Sequence, residues 1–222
     1  MIKGFLFDLD GVIVDTAKYH YLAWKRMADE INIPFTIEDN ELLKGVSRMR
    51  SLDIVLSLDN RTLSDDEKVA LATKKNDWYV EYITKMESDE ILPGALEFLI
   101  EAKKQGIKIA LGSASKNAQT ILDRLEITSY FDAIVSGNEV SKAKPDPEVF
   151  LLGAKLLGLE ANECVVFEDA QAGVEAANNA GMKCVGIGSP EILGAADIVI
   201  DGLHAITVAE VVNLDKKKLN NK

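Results

Sequence analysis

The sequence predicts an α/β protein: a parallel sheet covered by helices on both faces, with an all-helical block inserted behind its first strand. Three observations carry this. From residue 92 onward, short β-rich apolar runs alternate with amphipathic helical stretches, the pattern of a parallel sheet built from βα units. An apolar run over residues 2–9 adds one more strand, whose place is the centre of that sheet. Between the two, residues 15–88 hold no convincing strand and read as helices.

In order along the chain, the insert is expected to contain helices at about 16–31, 38–44, 48–58 and 65–86. Ser64-Asp65-Asp66-Glu67 is a capping box that opens the last of them. Residues 1–14 and 89–222 then form a core domain and residues 15–88 a cap domain, with the connections at 12–15 and 88–92 as hinge. After the insert, strands are expected at 107–111, 133–135, 164–167, 184–187 and 198–200. Pro93-Gly94 leads into a helix over 95–105 that Gly106 stops. Asp146 caps a helix with Pro147 at its first position and Gly158 at its end. A further helix over 171–180 ends at Gly181.

A chain of 222 residues, 47% apolar and 27% charged, suits one core plus an insertion. Its net charge of −11 argues against nucleic acid or an anionic membrane as partner. An anionic small molecule stays open, because local charge decides that. The apolar start is too short for a membrane span and is broken by Asp8 and Asp10, which makes it a poor signal peptide; the expected compartment is the cytoplasm. Cys164 and Cys184 sit in apolar runs and read as buried strand thiols rather than a disulfide or metal pair. The terminal Lys/Asn tail reads as frayed.

Chemistry-bearing residues gather where strands end. Phe7-Asp8-Leu9-Asp10-Gly11-Val12 places two carboxylates on one side of an extended segment, followed by a Gly turn. Such a concentration of negative charge needs a cation or proton to offset it. With a bound Mg²⁺, Asp8 becomes a candidate nucleophile toward phosphorus and Asp10 a candidate proton carrier. A strand running into an ordinary Asp/Gly turn is the plainer alternative. The next strand ends in Gly112-Ser113-Ala114-Ser115-Lys116-Asn117, whose hydroxyls and amides suit phosphate oxygens. A plain N-cap explains Ser115 or Asn117 equally well.

Lys142-Ala143-Lys144-Pro145-Asp146-Pro147 follows the third strand. Pro145 keeps Lys144 out of helix, as an extended arm whose ammonium suits a phosphoryl group in transfer; an exposed, solvated lysine is the alternative. The fourth strand end gives Glu168-Asp169, either further ligands for a hard cation or the cap of the next helix. Asp8, Asp10 and Asp169 form an oxygen-only set that suits Mg²⁺ better than zinc.

In the insert, Thr16, His20 and Trp24 recur every four residues and share one helix face, with Met27 and Ile31 continuing the stripe. Core packing is the plain reading of His20 and Trp24. Leu43-Lys44-Gly45-Val46-Ser47-Arg48 reads as a helix stop followed by a new cap, with Lys44 and Arg48 on the loop between. Asn76 is placed on the apolar stripe of Val69, Ala72, Tyr79, Val80 and Ile83, with Lys75 beside it.

The order Asp-x-Asp-Gly-Val, strand-Ser, Lys-Pro-Asp-Pro, Glu-Asp, each at a strand end, resembles the haloacid dehalogenase superfamily of phosphotransferases across essentially the whole chain. That resemblance implies its Rossmann-like core with an inserted helical cap. Asp15-Thr16-Ala17 with His20 and Trp24, the run from Leu43 to Arg48, Lys75-Asn76-Asp77 and 113–117 further resemble the β-phosphoglucomutase family.

The family resemblance implies interconversion of β-D-glucose 1-phosphate and glucose 6-phosphate through β-glucose 1,6-bisphosphate. It makes Asp8 the nucleophile and Asp10 the general acid/base. Asp8, Asp10, Asp169 and nearby Glu168 become the site of one Mg²⁺. Ser113, Ala114 and Lys144 are implied to grip the transferring phosphoryl group, and Arg48, Ser115, Lys116 and Asn117 the other phosphate. Lys44, Gly45, Val46, Ser47 and Ser51, with Thr16, His20, Trp24, Lys75 and Asn76, line the sugar site in that reading. Asp10 is expected to reach its working position only with the cap closed, which would protect the aspartyl phosphate from water. The family and the acidic composition lead to the expectation of a monomer acting on hexose phosphates. A sugar-phosphate phosphatase would use the same core motifs.

Overall fold

The computed structural model describes residues 1–43 and 46–214. The expectations for Lys44, Gly45 and the Lys/Asn tail lie outside the described residues. The chain divides into two compact units, Met1–Asp15 with Glu87–Lys222, and Thr16–Met86.

In chain order, β1 (Gly4–Phe7) is followed by the helical unit: α1 (Ala17–Glu30), α2 (Ile37–Glu41), α3 (Arg48–Ser57) and α4 (Asp65–Ile83). The first unit resumes with α5 (Ala95–Lys104), β2 (Lys108–Gly112), α6 (Ala118–Arg124), β3 (Ala133–Val135) and α7 (Glu148–Leu157). It continues with β4 (Cys164–Glu168), α8 (Gln171–Asn179), β5 (Lys183–Ile187), α9 (Pro190–Leu193), β6 (Ile198–Ile200) and α10 (Val208–Val212).

All six strands run parallel in the order β3-β2-β1-β4-β5-β6. β1 is central, and strand order reverses beside it, the place where open α/β sheets bind ligands at their carboxyl ends. Phe7 is in register with Leu111 and Phe167, so Asp8, Gly112 and Glu168 leave the sheet at one level.

The sheet is apolar on both faces because helices cover both. Phe5, Phe7 and Phe167 point one way and meet Phe98 of α5, with Phe7 stacked on Phe167 at 4.5 Å between ring centroids. All three strand phenylalanines are fully buried, and Phe7→Ala would cost about 3–5 kcal/mol. The other face carries Leu6, Val166, Cys164 and Cys184, packed with Phe150 and Ala154 of α7 and Val174 and Ala177 of α8. Both cysteines are free and buried, as their apolar runs predict.

The helical unit is held by α1 packing on α4. Ala23, Trp24, Met27 and Ala28 are buried on α1, and Ala72, Lys75, Trp78, Tyr79 and Ile83 on α4. The Ser64 box is formed: Glu67 N–H donates to the Ser64 hydroxyl at 3.4 Å and Ser64 N–H to the Glu67 carboxylate at 2.8 Å.

Three details differ from the sequence reading. Lys75, not Asn76, takes the buried position on α4, while Asn76 is half-buried and Val69 is 55% exposed. Residues shift face by about 100° per position, so a one-residue phase error moves a side chain out of the core. Asp146 is not the N-cap of α7; Pro147 is, and the Asp146 carboxylate instead accepts the Glu148 N–H at 3.1 Å. The second insert helix is only Ile37–Glu41, opened by a Thr36/Asp39 capping box. No described helix is long and apolar enough to cross a membrane.

Candidate active site

At the carboxyl end of β1 the backbone of Asp8 still pairs with the sheet, its N–H donating to the Phe167 carbonyl at 2.9 Å. Its side chain follows the Leu6 face, toward α7. There Lys144 Nζ donates to Asp8 Oδ1 and, at 2.5 Å, to Glu168 Oε1. The Lys144 side chain is 5% exposed, and its ammonium stands 4.8 Å from the centre of the Phe150 ring. Burial works against its charge, but Asp8 and Glu168 outweigh burial and hold the lysine protonated well beyond the ordinary range.

Glu168 spends its other oxygen on the Ala170 N–H at 3.0 Å. Burial, then repulsion from Asp8, Glu168 and Asp10, pushes Asp169 up to about 8. Two glycines make room for these carboxylates. Gly11, at φ +73°, turns the chain where any Cβ would strike the Asp169 carboxylate, and a Cβ on Gly173 would strike that of Glu168. A tight turn holds Asp10, with Ile13 N–H donating to the Leu9 carbonyl at 2.9 Å and a bridge between Asp10 and Val14.

The donors are all hard oxygens, and the carboxylates of Asp8, Asp10, Glu168 and Asp169 outnumber the Lys144 ammonium that faces them. Among the described residues, no three His, Cys, Asp or Glu side chains form a metal centre unaided. A hexacoordinate ion such as Mg²⁺ fits that shortfall, because it is commonly held by one or two carboxylates with backbone, water and substrate oxygens completing its shell.

The loop after β2 lies at the same edge. Ser113 is 2% exposed, and its N–H donates to the Val135 carbonyl at 2.9 Å. Ser115 N–H donates to the Ser113 hydroxyl at 3.1 Å and Asn117 N–H to the Ser115 hydroxyl at 3.2 Å, a run of turns that presents Ala114 and Lys116 outward. Asn117 stands at the N-cap of α6 without a side-chain capping bond. Lys116 is fixed through its backbone, its carbonyl accepting Asn138 Nδ2 at 3.0 Å.

A second polar cluster lies within the helical unit. Lys75 Nζ and His20 Nδ1 are 2.9 Å apart, and the ammonium stands 4.6 Å from the Trp24 ring centre and 4.9 Å from that of Tyr79. His20 stacks on Tyr79 at 4.1 Å, and the Tyr79 hydroxyl donates to Thr16 Oγ1 at 3.3 Å. Burial, then the charges of Lys75 and Arg48, lower the His20 pKa well below its ordinary value. The neutral ring accepts from Lys75 at Nδ1, so its proton sits on Nε2.

Arg48 is half-buried at the start of α3; burial lowers its pKa, against the opposing charge of Asp77. Ser47 caps α3, accepting Arg50 N–H at 3.4 Å, Ser51 is buried one turn on, and Val46 is exposed. The residues singled out in the sequence thus form two groups: Asp8, Asp10, 113–117, Lys144, Glu168 and Asp169 in the first unit, and Thr16, His20, Trp24, Val46, Ser47, Arg48, Ser51, Lys75 and Asn76 in the second. Tyr79, read only as an apolar stripe position, contacts His20, Lys75 and Thr16 of the second group. Its spacing of four from Lys75 is the signal that could have shown this.

A family model described as haloacid dehalogenase-like hydrolase matches residues 2–181. The chain belongs to the haloacid dehalogenase-like hydrolase family. It is 43% identical over 209 residues to the β-phosphoglucomutase of Bacillus subtilis (strain 168), covering 93% of this chain and 92% of that one. It also resembles, at TM-score 0.93 and 42% identity over 100% of both chains, the crystal structure of a β-phosphoglucomutase from Clostridium difficile. A phosphorylated carbohydrates phosphatase of Thermotoga maritima is 29% identical over 223 residues, 99% of this chain and 97% of that one. The six-stranded parallel sheet with its helices is therefore the fold of this family.

Proposed function

We propose that this protein is a β-phosphoglucomutase, interconverting β-D-glucose 1-phosphate and glucose 6-phosphate through β-glucose 1,6-bisphosphate. The observation that carries it is the buried Asp8–Lys144–Glu168 cluster at the carboxyl end of β1, in a chain 42–43% identical to two β-phosphoglucomutases along nearly its full length. The proposed division of labour makes Met1–Asp15 with Glu87–Lys222 the catalytic core and Thr16–Met86 the sugar-recognition cap.

In this reading an Asp8 oxygen attacks phosphorus while the bond from phosphorus to the sugar oxygen breaks, and Asp10 gives that oxygen its proton. In the second half-reaction Asp10 takes the proton of the other sugar hydroxyl as it attacks the aspartyl phosphate, so the proton ledger closes. Lys144 and the Ser113 hydroxyl balance charge on the phosphoryl oxygens, and Ala114 offers its backbone amide. Phosphoryl transfer needs such positioning and charge balance more than elaborate covalent chemistry. Asp8, Asp169 and the Asp10 carbonyl would hold Mg²⁺, which neutralises charge when bound. Glu168 acts by anchoring Lys144.

Arg48, with Ser115, Lys116 and Asn117, is assigned the non-transferring phosphate. His20, Trp24, Lys75, Tyr79 and Ser51 are assigned to the sugar, with the His20 Nε2–H as a donor to a hydroxyl. Because Asp10 must discriminate a sugar hydroxyl from water, its placement is proposed to depend on the bound sugar.

The test is a Mg²⁺-containing assay of β-glucose 1-phosphate, with and without catalytic β-glucose 1,6-bisphosphate, following glucose 6-phosphate and free phosphate together. The expected result is glucose 6-phosphate stimulated by the bisphosphate, with little free phosphate. Stoichiometric free phosphate without glucose 6-phosphate would make the protein a phosphatase instead.

A further inference from the structure

Lys144 reaches a buried position from an exposed loop: Ser141, Lys142 and Ala143 are all exposed, and 136–147 contains no regular element. A lysine arm on such a loop carries substantial rotamer entropy, so something must hold its base. Two side chains outside the phosphoryl site do so. Glu148, the first residue of α7, turns its carboxylate back along the chain. One oxygen, Oε2, accepts the Lys142 N–H at 2.8 Å, the Ser141 N–H at 3.0 Å and the Ser141 hydroxyl at 3.0 Å. From the other side Asn179, the last residue of α8, donates Nδ2 to the Pro145 carbonyl at 3.0 Å. The chain is thus gripped immediately before and immediately after the Ala143-Lys144 pair.

Glu148 is not a routine helix cap. A capping-box carboxylate stands at the third helical position and reaches the N-cap backbone. Here it stands at the first position and spans six and seven residues back, to donors that belong to the loop. A charged acceptor shared by three donors makes strong hydrogen bonds, and these hold Glu148 ionised below the usual glutamate range.

We infer that Glu148 and Asn179 are positioning residues for Lys144: together they clamp the 141–145 loop from two helices and so set where its ammonium meets Asp8 and the transferring phosphoryl group. This rests on the phosphotransfer reading above, but not on whether sugar or water is the acceptor. Neither residue touches the reacting atoms, and both act through one side chain.

A double-mutant cycle on the full chain tests this. Glu148→Ala and Asn179→Ala are each made in the native protein and in Lys144→Ala, and the single-turnover rate of phosphoryl transfer from β-glucose 1,6-bisphosphate is measured, free phosphate included. A mutase and a phosphatase therefore both give a reading. In the native background each substitution is expected to lower the rate about tenfold, a fraction of the 10²–10³ lost when a phosphoryl-stabilising donor is removed outright. In the Lys144→Ala background the same substitutions should change it less than twofold, because coupled residues are not additive. Glu148→Gln, which keeps an acceptor without the charge, should restore part of the loss and supplies the comparison if Glu148→Ala fails to fold. Equal losses in both backgrounds, or no loss in either, would overturn the assignment.

Discussion

The two clusters meet the same physical problem, a buried ionisable group, in opposite ways. Lys144 keeps its charge because two carboxylates answer it; His20 stays neutral because burial and two cations forbid a further charge. The His20 pKa lies below that of an unfolded histidine, so protons bind more readily to the unfolded chain in acid. His20 therefore costs no stability above about pH 6.5 and destabilises the fold as pH falls below it. Long-range ¹H–¹⁵N spectra should show a single neutral Nε2–H tautomer with no titration between pH 8 and 6; a midpoint near 6.5 would contradict the assignment. At this scale the sequence was most readable where a motif ends a strand, as at Asp8 and Glu168, since strand ends and ligand sites coincide in α/β sheets. It was least readable at Lys75. An aliphatic stem ending in a charge fills a core position without registering as apolar, so the α4 stripe, right at Ala72, Tyr79 and Ile83, was given Asn76 in place of Lys75.

Elements were legible in proportion to how strongly local chemistry punctuates them. The Ser64 box marks a helix start and Gly158 and Gly181 mark helix stops, and the corresponding helices begin or end within a few residues of expectation. α10, five residues long, leaves too short a stripe to register, although it carries a Thr-based capping box, whereas α2, equally short, was expected over 38–44. The Ser64 box also serves α4, which presents Lys75 and Tyr79. Ser64→Ala should cost about 1 kcal/mol of stability, measured by urea denaturation, while leaving kcat within twofold. A loss of kcat with unchanged stability would mean that Ser64 has a role beyond the helix end.

For the molecule as a whole, the strand order does the organising. With β1 central and in register with β2 and β4, residues distant in sequence — Asp8, Ser113, Glu168 and Asp169 — leave the sheet at one edge, and the β3–α7 loop brings Lys144 to them. The parallel sheet and the helical insert were both evident from periodicity alone. What periodicity could not supply was the clamp on the Lys144 loop, because Glu148 and Asn179 act on backbone groups and leave no motif. The central claim is that Asp8 carries the phosphoryl group. The most direct measurement is to quench the Mg²⁺ enzyme during turnover of β-glucose 1,6-bisphosphate, reduce the acyl phosphate with borohydride and locate the modified residue by peptide mass spectrometry. Homoserine at position 8, and none in Asp8→Asn, is the expected result; modification at Asp10 or Asp169, or an unmodified chain, would contradict it.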